Sequence, residues 1–575
     1  MKKKNNNWLF SLISVFILFF CCTSNTFAFT RIVDLVFDGM SVEADKLDET
    51  LATIKQNKAK NKTIFDPAKR KPDKLFVVKA RQKDPQNIQL EIDTSGVLVK
   101  NENDIQASIS NQGFLDAIQE SVNLWESVDV AEVMFAPLKF ASGQANPDDG
   151  RNIISFRAVE SPEGVAQGSA FVSIIAFARS ENVLFMNKAI MVKPGTILDA
   201  DVIFDPTNDP CLALHTTKGA FKTGGDDSVP ISEGGIDPTA DLSTCTNIGA
   251  GDITDFAVES IGSVLGLDNS PIASSATSFV TQIRTRYALT TDDKIGLANI
   301  YPNKNTLINH GSIAGKVLLK KKPVRGAHVV LEDSTTGQPI TSTITDINGN
   351  FLIAAISAGI YKIYAEPLDG PTRKNTLARN FFGFASQINF TTGTLPSEIL
   401  IRNKKTTKVT INVQELSASA FNINYIGTPL TESDIEKIGG GFLLPIMIMA
   451  GETLTDVQFW GSNISKDFGT LSVSGSGITV SNVTDASIPI SPFIRCSACE
   501  DTPDTMCKRD PRCPATDEIT AEPDQIQGIT ANITCAASAS PGPRNIIFTG
   551  NKVDPTHPSF GLIDQITGGI IVTED

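Results

Sequence analysis

The chain has 575 residues, 41% of them hydrophobic and 20% charged, with a formal net charge of −14. That length exceeds what one core can serve and predicts three or four units at about 150 residues each, while the composition excludes a disordered chain. The acidic balance excludes nucleic acid as a partner, because phosphate binding needs a basic patch.

The first 28 residues stand apart. MKKKNNN is a basic start, WLFSLISVFILFFCC is an apolar run, and TSNTFA ends on a small residue. This pattern predicts a secretory leader cleaved after Ala28, and the run is short for a membrane span. A retained N-terminal anchor is the competing reading. Loss of the leader's three lysines lowers the net charge from −14 to −17. The mature chain is expected outside the cytoplasm (periplasm, cell surface or medium), without a transmembrane anchor.

After a mixed stretch over 29–110, FLDAIQESVNLW places Phe114, Ile118, Val122 and Trp125 on one helical face. VMFAPLKF and NIISFRAV read as strands, and GTILDADVIFDP as a further strand around Asp199 and Asp201. DITDFAVESIGSVLGLDNSP predicts a helix from about Ile253 to Leu265, with Gly266 where a helix would stop. TTDDKIGLANIYP predicts a last helix capped at Thr291 or Asp292. From His310 the texture changes to short alternating strands punctuated by Gly, Pro, Asn and Asp, the pattern of a β-sandwich. The only compact basic run, Lys320–Lys322, reads as a solvated hairpin end. The chain stays β-rich beyond about 404.

Seven cysteines follow the leader: Cys211, Cys245, Cys496, Cys499, Cys507, Cys513 and Cys535. Export makes disulfides the leading reading. Cys211 and Cys245 are alone in their region and pair most simply with each other, whereas five in the C-terminal part leave one over. A zinc knuckle is the alternative for the CxxC-containing group, although its spacing matches no standard ribbon. Asp148-Asp149, Asp226-Asp227 and Asp199/Asp201 offer hard oxygen donors suited to structural calcium, and solvated loops explain them as well.

Residues of roughly 100–304 resemble a matrixin, a metzincin-type zinc protease. NLWESV, ILDADVIFDP, GLDNSP and LTTDDKIGLANIYP follow one another in that family's order. Its motif H-E-x-x-H-x-x-G-x-x-H, anchored on Gly266-Leu267-Asp268, places the three histidines on Glu259, Ser263 and Asn269 and the glutamate on Ser260. The methionine of the Met-turn falls near Thr277. Every functional position is therefore substituted. Serine and asparagine are poor zinc donors, and serine is no general base. The histidines at 215, 310, 328 and 557 form no cluster along the chain.

Residues 310–403, through GSIAGKV, PVRGAHVVL, TDINGNF and GIYKIYAE, resemble the carboxypeptidase-regulatory-like β-sandwich, a spacer module without catalytic residues. Residues 404–575, through SGSGITVSNV and ASPGPRNIIFTG, resemble a bacterial Ig-like, IPT-type module with a Cys-rich insertion at 496–513. The expected architecture is thus a leader (1–28), an α+β metzincin-like unit (29–304) with a twisted sheet and two site helices, and two all-β sandwiches.

The function these resemblances imply is a secreted pseudo-metalloprotease that binds an extracellular protein, peptide or cell-surface component without cutting it. No cofactor is expected, and zinc only if the substituted site were restored. Two other readings stay open: an active zinc endopeptidase with non-standard ligands, and a structural or adhesive surface protein.

Overall fold

The structure is a computed structural model. It describes residues 81–93, 111–141, 149–156, 196–204, 249–278, 289–346, 348–368, 387–416, 421–427, 445–490, 524–552 and 559–573. It also describes 31–33, 98–100, 106–108, 143, 171–177, 182–185, 188–192, 212–216, 233–234, 554 and 556–557. The expected leader and Cys-rich insertion lie outside these residues. Among the described residues no helix is long and apolar enough to cross a membrane. The molecule is multidomain and mostly β, built from several sheets.

The first unit is a mixed sheet carrying two helices. In chain order its strands are β1 (Arg31–Val33), β2 (Glu91–Asp93), β3 (Lys139–Phe140), β4 (Ile153–Phe156), β5 (Phe171–Phe177) and β6 (Ile197–Phe204). Their order across the sheet is β1-β5-β6-β4-β2-β3. β6, β4, β2 and β3 run parallel, whereas β5 is antiparallel to β6. Registration places Ile92 opposite Ile154 and Ile154 opposite Val202, a row of buried branched side chains. Helices α1 (Asn111–Glu126) and α2 (Ile253–Val264) contribute to the same core. A register shift between Ile197 and Asp199 lets Ile197 join Ala200, Val202 and Phe204 in that core. Phe114 of α1 meets Phe204 edge to face, with centroids 5.7 Å apart.

Asp199 and Asp201 are almost fully buried. Asp199 Oδ2 accepts from the Gly150 N–H at 2.7 Å and Asp201 Oδ1 from the Ile153 N–H at 2.9 Å. They stitch the loop before β4 to β6, a different role from the solvated or calcium-holding pair expected of them. Asp148, Asp226 and Asp227 lie outside the described residues.

Helices α3 (Thr291–Ile300) and α4 (Lys304–Asn309) close this unit. The cap of α3 is Thr290, one residue before the expected one. Its hydroxyl accepts from the Asp293 N–H, and Asp293 answers to the Thr290 N–H, a reciprocal capping box.

The first sandwich begins with β7 (Gly311–Leu319), β8 (Lys322–Pro323), β9 (His328–Asp333), β10 (Pro339–Ile344), β11 (Asn350–Ile356) and β12 (Gly359–Glu366). Lys320 and Lys321, at φ 50° and 66°, make the exposed hairpin end between β7 and β8. The Asn348-Gly349 turn needs its glycine: φ is +68°, and a Cβ there would stand 2.7 Å from the Val317 carbonyl oxygen.

Three further short strands and β13 (Thr406–Glu415) complete this sandwich. β13 runs parallel to β7 over eight residue pairs, so the sandwich extends past residue 403. The reason is visible in KVTINV, whose Ile411 and Val413 alternate into the core shared with Ile313, Val317 and Ile353.

The C-terminal sandwich packs two four-stranded sheets over a core of Ile423, Phe459, Ile529, Ile546, Phe548 and Ile570. Its strands include β14 (Asp524–Cys535), β15 (Gly542–Gly550) and β16 (Ile563–Thr573). Cys535, expected among the disulfide candidates, is a buried free thiol at the end of β14, and burial pushes it upward from the usual thiol range. The other six candidates lie outside the described residues.

Candidate functional site

Helix α2 carries Glu259, Ser260 and Ser263, three of the four positions expected from the matrixin resemblance, and almost its whole circumference is buried. Asp255 in its first turn complements the helix dipole. The far end closes on Gly266, at φ +95°. Its N–H reaches the Ser263 carbonyl and the Leu267 N–H reaches that of Gly262, both at 2.9 Å, a Schellman stop. The remaining end carbonyls are also satisfied. Gln82 Nε2 donates to Val264 O at 2.7 Å, and the Tyr301 hydroxyl to Leu265 O at 2.7 Å. Burial pushes the Tyr301 phenol well above its ordinary range.

α1 is bolted to α2 by two polar contacts inside the apolar interface. Ser121 Oγ donates to Thr254 O at 2.9 Å and Trp125 Nε1 to Val258 O at 2.8 Å. Gly262 makes their approach feasible. A Cβ at Gly262 would lie 2.9 Å from both Trp125 Cζ2 and Thr277 Cγ2. Thr277, the expected Met-turn position, therefore sits against α2 one turn past Glu259.

The turn holding Thr277 is organised by Asp293, which is 2% exposed. Its carboxylate accepts from Ser275 Oγ at 2.5 Å, the Ala276 N–H at 2.9 Å, the Thr277 N–H at 3.2 Å and Thr277 Oγ1 at 2.9 Å. It also accepts from Thr290 N–H and Oγ1, at 2.8 and 2.6 Å. One carboxylate thus caps α3 and fixes the turn beneath α2. Sequence reading missed this role, although Thr290-x-x-Asp293 has the spacing of a capping box. The neighbouring Asp292 faces outward from the unit and accepts from Ser270 Oγ at 2.5 Å, Thr341 Oγ1 at 2.9 Å and the Ser342 N–H at 3.0 Å.

The four positions that the resemblance assigned to zinc ligands and base do not lie on an open floor. Glu259, Ser260, Ser263 and Asn269 are 2%, 0%, 4% and 5% exposed. Glu259 and Ser263 are one helical turn apart, as expected. The hydroxyls are turned to their own helix: Ser260 Oγ donates to Ala257 O at 3.1 Å and Ser263 Oγ to Glu259 O at 3.4 Å. Serine and asparagine do not supply the nitrogen, thiolate or carboxylate donors of a zinc centre, and enclosure leaves no open fourth position for a reacting water. These residues do not fit zinc. Among the described residues, no three His, Cys, Asp or Glu side chains gather as a metal-binding set.

Among solved structures, the chain is similar to GBS52, the minor pilin of Streptococcus agalactiae, at 14% identity and a TM-score of 0.13. That likeness covers 22% of this chain and 48% of GBS52, so the chain spans about half the length of that pilin. BcpA, the major pilin subunit of Bacillus cereus, is similar at 11% identity and a TM-score of 0.14, over 46% of this chain and 69% of BcpA. A DUF3823 family protein from Parabacteroides merdae is similar at 10% identity and a TM-score of 0.13, over 46% of this chain and all of that one. Scores of this size describe local overlap between pieces of chain and carry no functional weight. No family model and no curated protein matches the chain.

Proposed function

We propose that the chain is an exported, non-catalytic structural or adhesive surface protein, in which a matrixin-like unit persists as a folded block carried on two β-sandwiches. The observation that carries this reading is the state of the zinc frame. The helix, its glycine stop and the turn beneath it are all built, yet the four functional positions are substituted and enclosed. A protease site needs ligands, a base and an opening, and this one lacks the first two by residue type and the third by burial. The same enclosure weighs against a peptide lying across α2, so the pseudoprotease reading with an occupied cleft is the weaker one. The matrixin likeness of the unit rests on the order of its four sequence segments.

The test is zinc content and casein cleavage of the purified mature chain, together with its location after fractionation of the producing cells. The expected result is no stoichiometric zinc, no turnover, and recovery at the surface or in the medium. One zinc per chain with turnover, or recovery only from the cytoplasm, overturns the reading.

A further inference from the structure

One sheet of the first sandwich is covered on both faces. Alternation along β9 turns Val329 and Leu331 into the sandwich's own core, and His328, Val330 and Glu332 to the opposite side. β12 pairs with β9 so that Tyr364 lies beside Val330, and Glu366 beside His328, on that outer side. In a sandwich standing alone this outer face is the solvated one. Here all five residues are 6% exposed or less.

The C-terminal sandwich covers them with a β-bulge. β15 and β16 pair Arg544 with Ile570 and Ile546 with Ile566, so residues 567–569 stand opposite Asn545 alone. The bulge bends at Gly568, where φ is +69°. It carries the Thr567 hydroxyl to 2.9 Å from that of Tyr364, and Thr567 donates to Glu366 Oε1 at 2.9 Å. His328 Nδ1 lies 2.7 Å from that same oxygen. Asn545 anchors the bulge by accepting from the Gly568 N–H at 3.0 Å. Its Nδ2 donates across the contact to Glu332 Oε2 at 2.8 Å and to the Tyr364 hydroxyl at 3.1 Å.

The backbones also meet directly. A Cβ on Gly475, at φ +81°, would stand 2.1 Å from the Thr336 carbonyl oxygen. Beside it Ser474 Oγ donates to the Gly337 carbonyl and accepts from the Asn545 N–H. Gln338 Nε2 donates to the Pro541 carbonyl at 2.7 Å.

We propose that the two sandwiches are one cooperative body, joined through the Thr567-Gly568 bulge, and not two spacers on a flexible link. Modules on a short connection, here residues 416–421, ordinarily move against each other unless the contact between them is well made. This contact consists of groups that part only together. Opening it returns Val330 and Tyr364 to water, and every member of the chain from Glu332 through Asn545, Tyr364 and Thr567 to Glu366 loses a partner at once. Hydrogen bonds linked in this way polarise one another inside a dry contact, so the chain opens as a unit. Two consequences follow for an exported chain. The surfaces of both sandwiches are held in one fixed relation, and whatever binds and stabilises one stabilises the other equally.

Native-state hydrogen exchange of the full mature chain reads the first sandwich at 311–319 and 406–415, and the C-terminal one at 529–535 and 546–550. Ile313 belongs to the first core alone, and Ile313→Val should lower protection of its slowest amides about fivefold. In one cooperative body the slowest amides of the C-terminal sandwich lose the same factor. Gly475→Val places a side chain where the Thr336 carbonyl now lies, and should confine the effect of Ile313→Val to the first sandwich. Asn545→Ala with Thr567→Ala severs the polar links by a different route and should do the same, which keeps the test open if Gly475→Val does not fold. A loss confined to the first sandwich when Ile313→Val stands alone, or a loss still shared in the uncoupling variants, overturns the proposal.

Discussion

Replacing Asp293 by alanine removes the acceptor that both caps α3 and holds the turn beneath α2. Six donors, from Ser275, Ala276, Thr277 and Thr290, lose their partner at a position 2% exposed. A hydrogen bond to a charged group contributes about 1.5–3 kcal/mol, but bonds to one carboxylate are not additive. A buried donor left without a partner costs about 1–3 kcal/mol, so several donors sharing one lost acceptor, counted less than additively, give an expected loss of about 3–5 kcal/mol. For a unit of this size it corresponds to a melting point lower by about 6–20 °C.

Urea unfolding followed by Trp125 fluorescence, in a Trp460→Phe background, reports this unit alone once the leader containing Trp8 is removed. Exchange at 270–278 should rise in parallel, while the sandwich cores keep their protection. Asp293→Asn should fall between parent and alanine, because an amide accepts through one oxygen only. A loss below about 1 kcal/mol for Asp293→Ala would refute the network as the organiser of the turn.

Gly262→Ala should destabilise the same unit by about 1–3 kcal/mol through overpacking against Trp125 and Thr277. Thr277→Ser, which removes the clashing methyl, should recover part of that loss in a double-mutant cycle; strict additivity would show that the two residues do not touch. Cys535 should resist maleimide at pH 8 in native protein and react in urea, because its thiol is buried and held protonated; equal labelling in both states counts against its burial. Restoring Glu259→His, Ser260→Glu, Ser263→His and Asn269→His together should add one zinc per chain by metal analysis. No gain, in protein that stays folded, would mean that these positions do not converge and that the matrixin likeness fails.

Local structure was legible where its cause is local. The stripe Phe114, Ile118, Val122 and Trp125 specified α1 and its buried face, because helical period and hydrophobic spacing coincide there. Gly266 marked the end of α2, since a left-handed residue stops a helix and glycine adopts that conformation without strain. The Asn348-Gly349 turn and the exposed lysine hairpin end followed from turn chemistry in the same way.

What depended on distant partners was not legible. KVTINV has the alternation of any strand, and only its parallel pairing with β7 assigned it to the first sandwich. Asp199 and Asp201 look like solvated acids until the loop at 150–153 places N–H groups against them. Glu259, Ser263 and Asn269 have the spacing of a site floor, and only packing determined that they lie inside. Glu332 reaches Asn545, and Tyr364 reaches Thr567, across more than two hundred positions of chain. A sequence specifies periodicity, caps and turns through neighbours along the chain. Burial and the pairing of polar groups are properties of the closed fold, which alone determines what excludes water from each carboxylate.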